Sequence, residues 1–146
     1  MATHHFHLQA DWPGGRNSSG YIDAGNLKTK ISIPQEMDGP GIGTNPDEML
    51  LGAAATCYII TLAAMIERAQ LPLKEISLQS EAIVDFTHGV STYKKIIHKP
   101  FVSLHNDADE RNYIKLTELI EKADASCMIS RALKGNVEIE LKPNID

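Results

Sequence analysis

Apolar and polar residues alternate along much of this chain, and one stretch breaks the alternation. From Met49 to Ile66 eighteen consecutive residues carry no charge. The stretch opens with a helix-start signature: Asn45 can cap, Pro46 suits the first helical position, and Glu48 stands three residues after the cap. The helix is predicted to end near Gln70, before Pro72. A helix apolar on all sides must be buried on all sides, so the rest of the chain is expected to wrap it. Gly52, five alanines, Thr56, Cys57 and Thr61 dilute the run below the hydrophobicity of a membrane span. A buried soluble helix is expected.

The flanking pattern supplies the wrapping. Phe6, Leu8 and Ala10 alternate with polar neighbours and predict a first strand with one buried face. Trp12 to Gly20 is a turn region, Tyr21–Ala24 a short strand, and Lys28–Ile33 a third strand ended by Pro34. Residues 38–43 form a Gly-rich loop that reads as a hinge or lid. After the long helix, Ile76 to Phe86 predicts a half-exposed strand that Thr87-His88-Gly89 turns back into a partner, Val90 to His98. Pro100 is expected to bend or interrupt that partner before Phe101–Leu104. A second helix is predicted from about Asp107 to Ala123, with Ile114, Leu116, Leu119, Ile120 and Ala123 as its apolar side. Ser126 can cap a short third helix, Cys127 to Lys134, stopped by Gly135. Val137, Ile139 and Leu141 mark a last strand. The class is α+β, and residues 1–146 read as one domain.

At 146 residues the chain has the size of one domain. The few strands give too little cover for an all-round apolar helix, which makes burial in a dimer the natural solution. A formal net charge of −5 argues against nucleic acid or an anionic membrane as the main partner. The N-terminus shows no basic segment followed by an apolar core, and a cytoplasmic location is expected. Two cysteines in a reducing compartment do not suggest a structural staple.

Those two cysteines are the first candidates for chemistry. Cys57 lies mid-helix, where the helix dipole helps little and apolar surroundings raise a thiol pKa, so a reactive Cys57 needs a cation from elsewhere. Alone it reads equally as a small hydrophobe. Cys127 stands at a predicted helix start, where free N–H groups favour a thiolate, and alone it reads equally as a reactive or an inert thiol. Seventy positions apart, the pair forms no metal motif, but as a redox pair they make sense if the fold brings them within disulfide reach. Arg16 follows Gly14-Gly15 and is either a solvated turn residue or an aimed cation. Glu48 is a helix-start residue that could also orient an arginine fork. Nine helical residues, about 13–14 Å of rise, separate Glu48 from Cys57. An antiparallel second copy of the helix could bring Glu48 of one chain to Cys57 of the other, which predicts sites at a subunit interface. His4, His5 and His7 lack a partner at ligand spacing, so no metal is expected.

Residues 43–57, Gly-Thr-Asn-Pro-Asp-Glu-Met-Leu-Leu-Gly-Ala-Ala-Ala-Thr-Cys, closely resemble the helix entry and first-cysteine motif of the OsmC/Ohr family of hydroperoxide reductases. Residues 125–137, around Cys127, resemble its second-cysteine motif, and Gly14-Gly15-Arg16 its arginine turn. The likeness runs along the whole chain and is nearest to small Gram-positive bacterial members. It implies an intertwined homodimer, two long central helices wrapped by antiparallel sheets. It implies Cys57 as peroxidatic thiol, Cys127 as resolving thiol, Arg16 stabilising the thiolate and peroxide, and Glu48 holding Arg16. Organic hydroperoxides, and hydrogen peroxide as well, would be the substrates, with Met49, Tyr58 and Ile42 lining an apolar pocket. An external dithiol, such as a lipoyl group, would restore the thiols without metal or flavin. Met128 stands where members often carry Pro, a departure that bears on the loop around the second thiol. The alternatives are an OsmC-like dimer that binds an apolar small molecule without catalysis, and a thiol sensor of oxidation.

Overall fold

The longest helix, α1, runs unbroken from Pro46 to Arg68 in the computed structural model, which describes residues 1–146. The cap forms where the sequence puts it: Asn45 Oδ1 accepts from the Glu48 N–H at 2.9 Å. Glu48 Oε1 in turn accepts from Thr44 Oγ1 at 2.9 Å, one residue short of the reciprocal half of a capping box. The chain forms two compact units, Met1–Met49 and Leu50–Asp146. Each unit has its own sheet, so backbone hydrogen bonding closes separately in each.

In the first unit, β1 (Gln9–Asp11), β2 (Gly20–Ala24) and β3 (Leu27–Ile31) form an antiparallel sheet in that order. The expected strand over residues 6–10 is displaced to Gln9–Asp11. Phe6 and Leu8 lie outside it and are 95% and 60% exposed, because β2 offers partners only from residue 9 onward. Residues 32–44 are also firmer than a hinge. The Ser32 hydroxyl accepts from the Ile42 N–H at 2.7 Å and donates to the Ile42 carbonyl at 2.9 Å. The Thr44 N–H donates to the Lys30 carbonyl. Gly43 makes this closure, since at φ +72 any Cβ would fall 2.1 Å from the Lys30 carbonyl oxygen.

In the second unit, β4 (Leu73–Thr87) and β5 (Val90–Leu104) form a long antiparallel hairpin. His88 and Gly89, both at positive φ, make its two-residue turn. Pro100 does not interrupt β5; it is buried opposite Leu78. The His98 and Val102 carbonyls face the edge that carries β6 and β7, so alternation turns the Pro100 nitrogen to that edge too. There it falls between the two partner strands, which pair residues 95–98 and 101–102, and no donor is missed. The sheet is mixed rather than antiparallel throughout: β6 (Glu138–Leu141) and β7 (Asn144–Ile145) run parallel to β5. The helices α2 (Glu110–Ser126) and α3 (Met128–Leu133) supply the crossover that a parallel pair needs.

The core joins Tyr58, Leu62 and Ile66 of α1 to Val102 and Leu104 of β5 and to Leu116, Leu119, Ile120 and Ala123 of α2. Ile114 is exposed instead, because it lies some 160° around α2 from Leu116. On α1 only the stripe Ala54, Tyr58, Leu62, Ile66 is fully buried. Gly52, Ala53, Thr56, Ile60 and Ala64 face outward, and Ile60 is 62% exposed. Burial on every side is therefore not met within one chain. The helix is long and apolar enough to cross a membrane by length and composition, but its inner stripe is packed in the core just described.

Candidate active site around the paired cysteines

Cys57 and Cys127 come together although they stand seventy positions apart. Cys57 sits one turn before Thr61 on α1, and Cys127 joins α2 to α3. Both are free thiols; Cys57 is half-buried and Cys127 fully buried. Burial pushes the Cys57 pKa up. Hydrogen bonds from the Cys127 thiol, the backbone N–H groups of Ile129 and Met128, and the Thr61 hydroxyl outweigh it, and the thiol ends below its ordinary value. The dipole of α1 gives Cys57 little help, as expected, but no side-chain cation is needed for this shift. The Cys127 thiol supplies the largest share, and the free N–H groups at the start of α3 add to it.

Cys127 behaves opposite to the expectation from its helix-start position. Burial comes first, then the neighbouring Cys57, and together they hold its pKa above the ordinary value despite hydrogen bonds from Ser130 and Ile129. The N–H groups at the start of α3 are shared, with Met128 and Ile129 serving Cys57 and Ile129 and Ser130 serving Cys127. Ser126 is not the cap of α3: α2 extends through it, and Cys127 itself caps α3, its Sγ accepting from the Ser130 N–H at 3.5 Å. The Ser130 hydroxyl donates to Asp124 Oδ1 at 2.7 Å. Asp124 and Ser130 also line a cavity of about 620 Å³, with Arg131, Lys134 and Glu138 among its other walls.

Tyr58, expected on an apolar substrate pocket, points into the core of this chain. Adjacent helical residues point about 100° apart, so with Cys57 turned toward α3, Tyr58 enters the core. It is fully buried, donates to the Ile120 carbonyl at 2.8 Å, and stacks on His98 at 5.0 Å between ring centroids. Burial, reinforced by the charge of Asp124, raises its pKa strongly. His98 is itself fully buried; its Nδ1 shares a hydrogen bond with Ser80 Oγ at 2.6 Å and its Nε2 has no protein partner.

The remaining candidates lie in the first unit. Arg16 is exposed, its guanidinium held by the Met37 carbonyl at 2.8 Å, the Asp38 carbonyl at 3.2 Å and Asn17 Oδ1 at 2.9 Å. The loop of residues 37–38 thus aims the fork, and no ion pair links Arg16 to Glu48 within the chain. Met49 is half-buried and Ile42 exposed. His4, His5 and His7 are all exposed. Sequence reasoning did not reach Thr61, Asp124, Ser130 or His98. Only Thr61 carried a local signal, its i+4 spacing from Cys57.

Comparisons with known proteins agree with this architecture. The family model described as OsmC-like protein matches residues 39–142. YmaD of Bacillus subtilis, itself uncharacterized, is 61% identical over 145 residues, covering 99% of this chain and 97% of YmaD. An organic hydroperoxide resistance protein of Xanthomonas axonopodis pv. citri is 28% identical over 130 residues, covering 88% and 87%. Among solved structures, one titled an organic hydroperoxide resistance protein OsmC, from Legionella pneumophila, superposes with a TM-score of 0.79 at 23% identity, covering 99% of both chains. OhrB of Bacillus subtilis, titled an organic hydroperoxide resistance protein, gives 0.63 at 26% identity over 95% and 98%. With a family match across the paired cysteines and a fold shared end to end, the chain belongs to the OsmC-like family.

Proposed function

We propose that the protein is a cysteine-based peroxidase that reduces organic hydroperoxides, and hydrogen peroxide as well, to alcohols or water. The observation that carries this reading is the unequal pair: one half-buried thiol shifted toward thiolate, in hydrogen-bond contact with a second, buried thiol that stays protonated. A nucleophile and its resolving partner need that difference. Relatives named for organic hydroperoxide resistance support the same substrate class.

In the proposed cycle the Cys57 thiolate attacks the distal oxygen of the hydroperoxide, the O–O bond breaks, and the alcohol leaves. Cys57 is left as a sulfenic acid, which condenses with Cys127 to a disulfide and water. An external dithiol, a lipoyl group in this reading, reduces the disulfide by exchange. Arg16, steadied by Glu48, would meet the thiolate and the peroxide in a homodimer, with Met49 and Ile42 contributing apolar surface. A cytoplasmic setting, where dithiols are kept reduced, suits the cycle.

Steady-state consumption of cumene hydroperoxide in the presence of dihydrolipoamide tests the reading. The wild type should turn over, Cys57→Ser should be inactive, and Arg16→Ala should lose about 100-fold or more in kcat/KM, the scale of a lost charge contact in the transition state. Wild-type protein that consumes no peroxide, or Cys57→Ser that consumes it equally, would refute the proposal.

A further inference from the structure

We propose that Asp124, acting through the Ser130 hydroxyl, is the base that takes the proton of Cys127 when that thiol resolves the Cys57 sulfenic acid. The inference rests on the peroxidase reading and assigns residues to its second step. Cys127 is fully buried, and burial keeps it protonated. A protonated thiol is a poor nucleophile, so resolution needs somewhere for that proton to go. Ser130 touches Cys127, its N–H 3.5 Å from Sγ and its side chain in hydrogen-bond contact with the thiol. The Ser130 hydroxyl already donates to Asp124 Oδ1 at 2.7 Å. Thiol, hydroxyl and carboxylate therefore form a continuous line from a buried sulfur to a half-buried acid.

The far end of the line is open. Asp124 and Ser130 line the 620 Å³ cavity, where Arg131, Lys134 and Glu138 place charged groups along a way out for a proton. The groups facing Asp124 are Tyr58 of α1 and His98 of β5, both within reach of its charge, with Arg131 on α3, Lys134 just after it and Glu138 on β6 lining the cavity. In the reduced protein the Cys127 hydrogen bonds Cys57. Once Cys57 carries its sulfenic hydroxyl, that hydrogen is released to Ser130. The Cys127 proton then moves to Ser130 Oγ as the Ser130 proton moves to Asp124. The S–S bond forms as the S–O bond of the sulfenic acid breaks. The departing hydroxide becomes water with the proton that Asp124 gives back, so Cys57 sulfur is reduced, Cys127 sulfur is oxidised, and one water is released.

The bland role for the same contact is a joint that ties α3 to the last turn of α2. Asp124→Asn separates the two roles, because an Asn Oδ1 still accepts from Ser130 but takes no proton. After a stoichiometric pulse of cumene hydroperoxide, mass spectrometry with dimedone trapping follows the Cys57 sulfenic acid and the disulfide separately. In Asp124→Asn the ratio of disulfide rate to sulfenic-acid rate should fall about 100-fold at pH 7, within the range of a positioned base. Its disulfide rate should rise about tenfold per pH unit from about pH 6 to about pH 8, while the wild type stays nearly flat. Ser130→Ala should reproduce the loss and Ser130→Thr, which keeps a hydroxyl, should restore most of it. A ratio in Asp124→Asn within about twofold of wild type, or a loss by the same factor at every pH, would overturn the relay. Failure to form any sulfenic acid in the wild type would instead overturn the peroxidase reading beneath it.

Discussion

The Cys57 pKa is lowered by donors from separate parts of the chain: the Cys127 thiol first, then the Ile129 and Met128 N–H groups at the start of α3, then the Thr61 hydroxyl one turn along α1. Both cysteines and the helix start at Asn45 were legible from local motifs. The donors to Cys57 were not, because the N–H groups of residues 128 and 129 reach it only after β4, β5 and α2 have folded between them. Met128 offers a clean test. It is the first residue of α3 and 63% exposed, and Cys127 before it is already extended at φ −61, ψ 125. Proline fits such a position, so Met128→Pro should keep the helix and delete one donor to Cys57. Alkylation of Cys57 by iodoacetamide at pH 7, resolved by mass spectrometry, should slow by about 3–10-fold, the scale of one ordinary net hydrogen bond. His98 carries the other residue-scale prediction. Burial depresses its pKa below the usual 6.5, partly opposed by Asp124. The unfolded chain takes up that proton near pH 6.5 while the folded one resists it. The His98 contribution is therefore complete above pH 6.5 and declines as pH falls toward the folded pKa. Urea unfolding should show this decline, with a limit of about 1.4 kcal/mol per pH unit for one proton, and His98→Gln should lack it.

Among the elements, those with long unambiguous periods formed as predicted and short ones yielded to partners. The hairpin of β4 and β5 follows from its alternation and from His88-Gly89. The first strand shifted because pairing with β2, not the Phe6 and Leu8 pattern, decides where β1 begins. Pro100 misled because its effect depends on which edge its nitrogen faces, a property of the assembled sheet. The parallel placement of β6 was invisible locally, since a strand's own sequence does not state its direction. The α1 helix is the element on which the second unit rests. Leu62, fully buried between β5 and α2 in the main core, should cost about 2–5 kcal/mol when cut to Ala, measured by urea denaturation. A loss well under 1 kcal/mol would mean that this core is not the one that holds the fold.

For the whole molecule, the unresolved demand is the outward face of α1. Ala53, Thr56, Ile60 and Ala64 form a stripe of small and apolar residues left uncovered in one chain. The all-round apolar pattern of α1 made this need for further cover legible before any fold was known, while the partner that meets it lies outside a single chain's sequence. In the proposed homodimer a second α1 packs on this stripe. Ile60→Lys should then convert a dimer to monomer in multi-angle light scattering, whereas a wild-type monomer at micromolar concentration would remove the dimer from the account. The central claim, a peroxidase built on Cys57 and Cys127, has a more direct test. Reduced protein mixed with one equivalent of cumene hydroperoxide and quenched over seconds can be weighed intact and after alkylation. The account predicts loss of both thiols, a Cys57–Cys127 disulfide, and one alcohol formed per chain, with no peroxide consumed by Cys57→Ser. Two alkylatable thiols and intact peroxide after that time would contradict it.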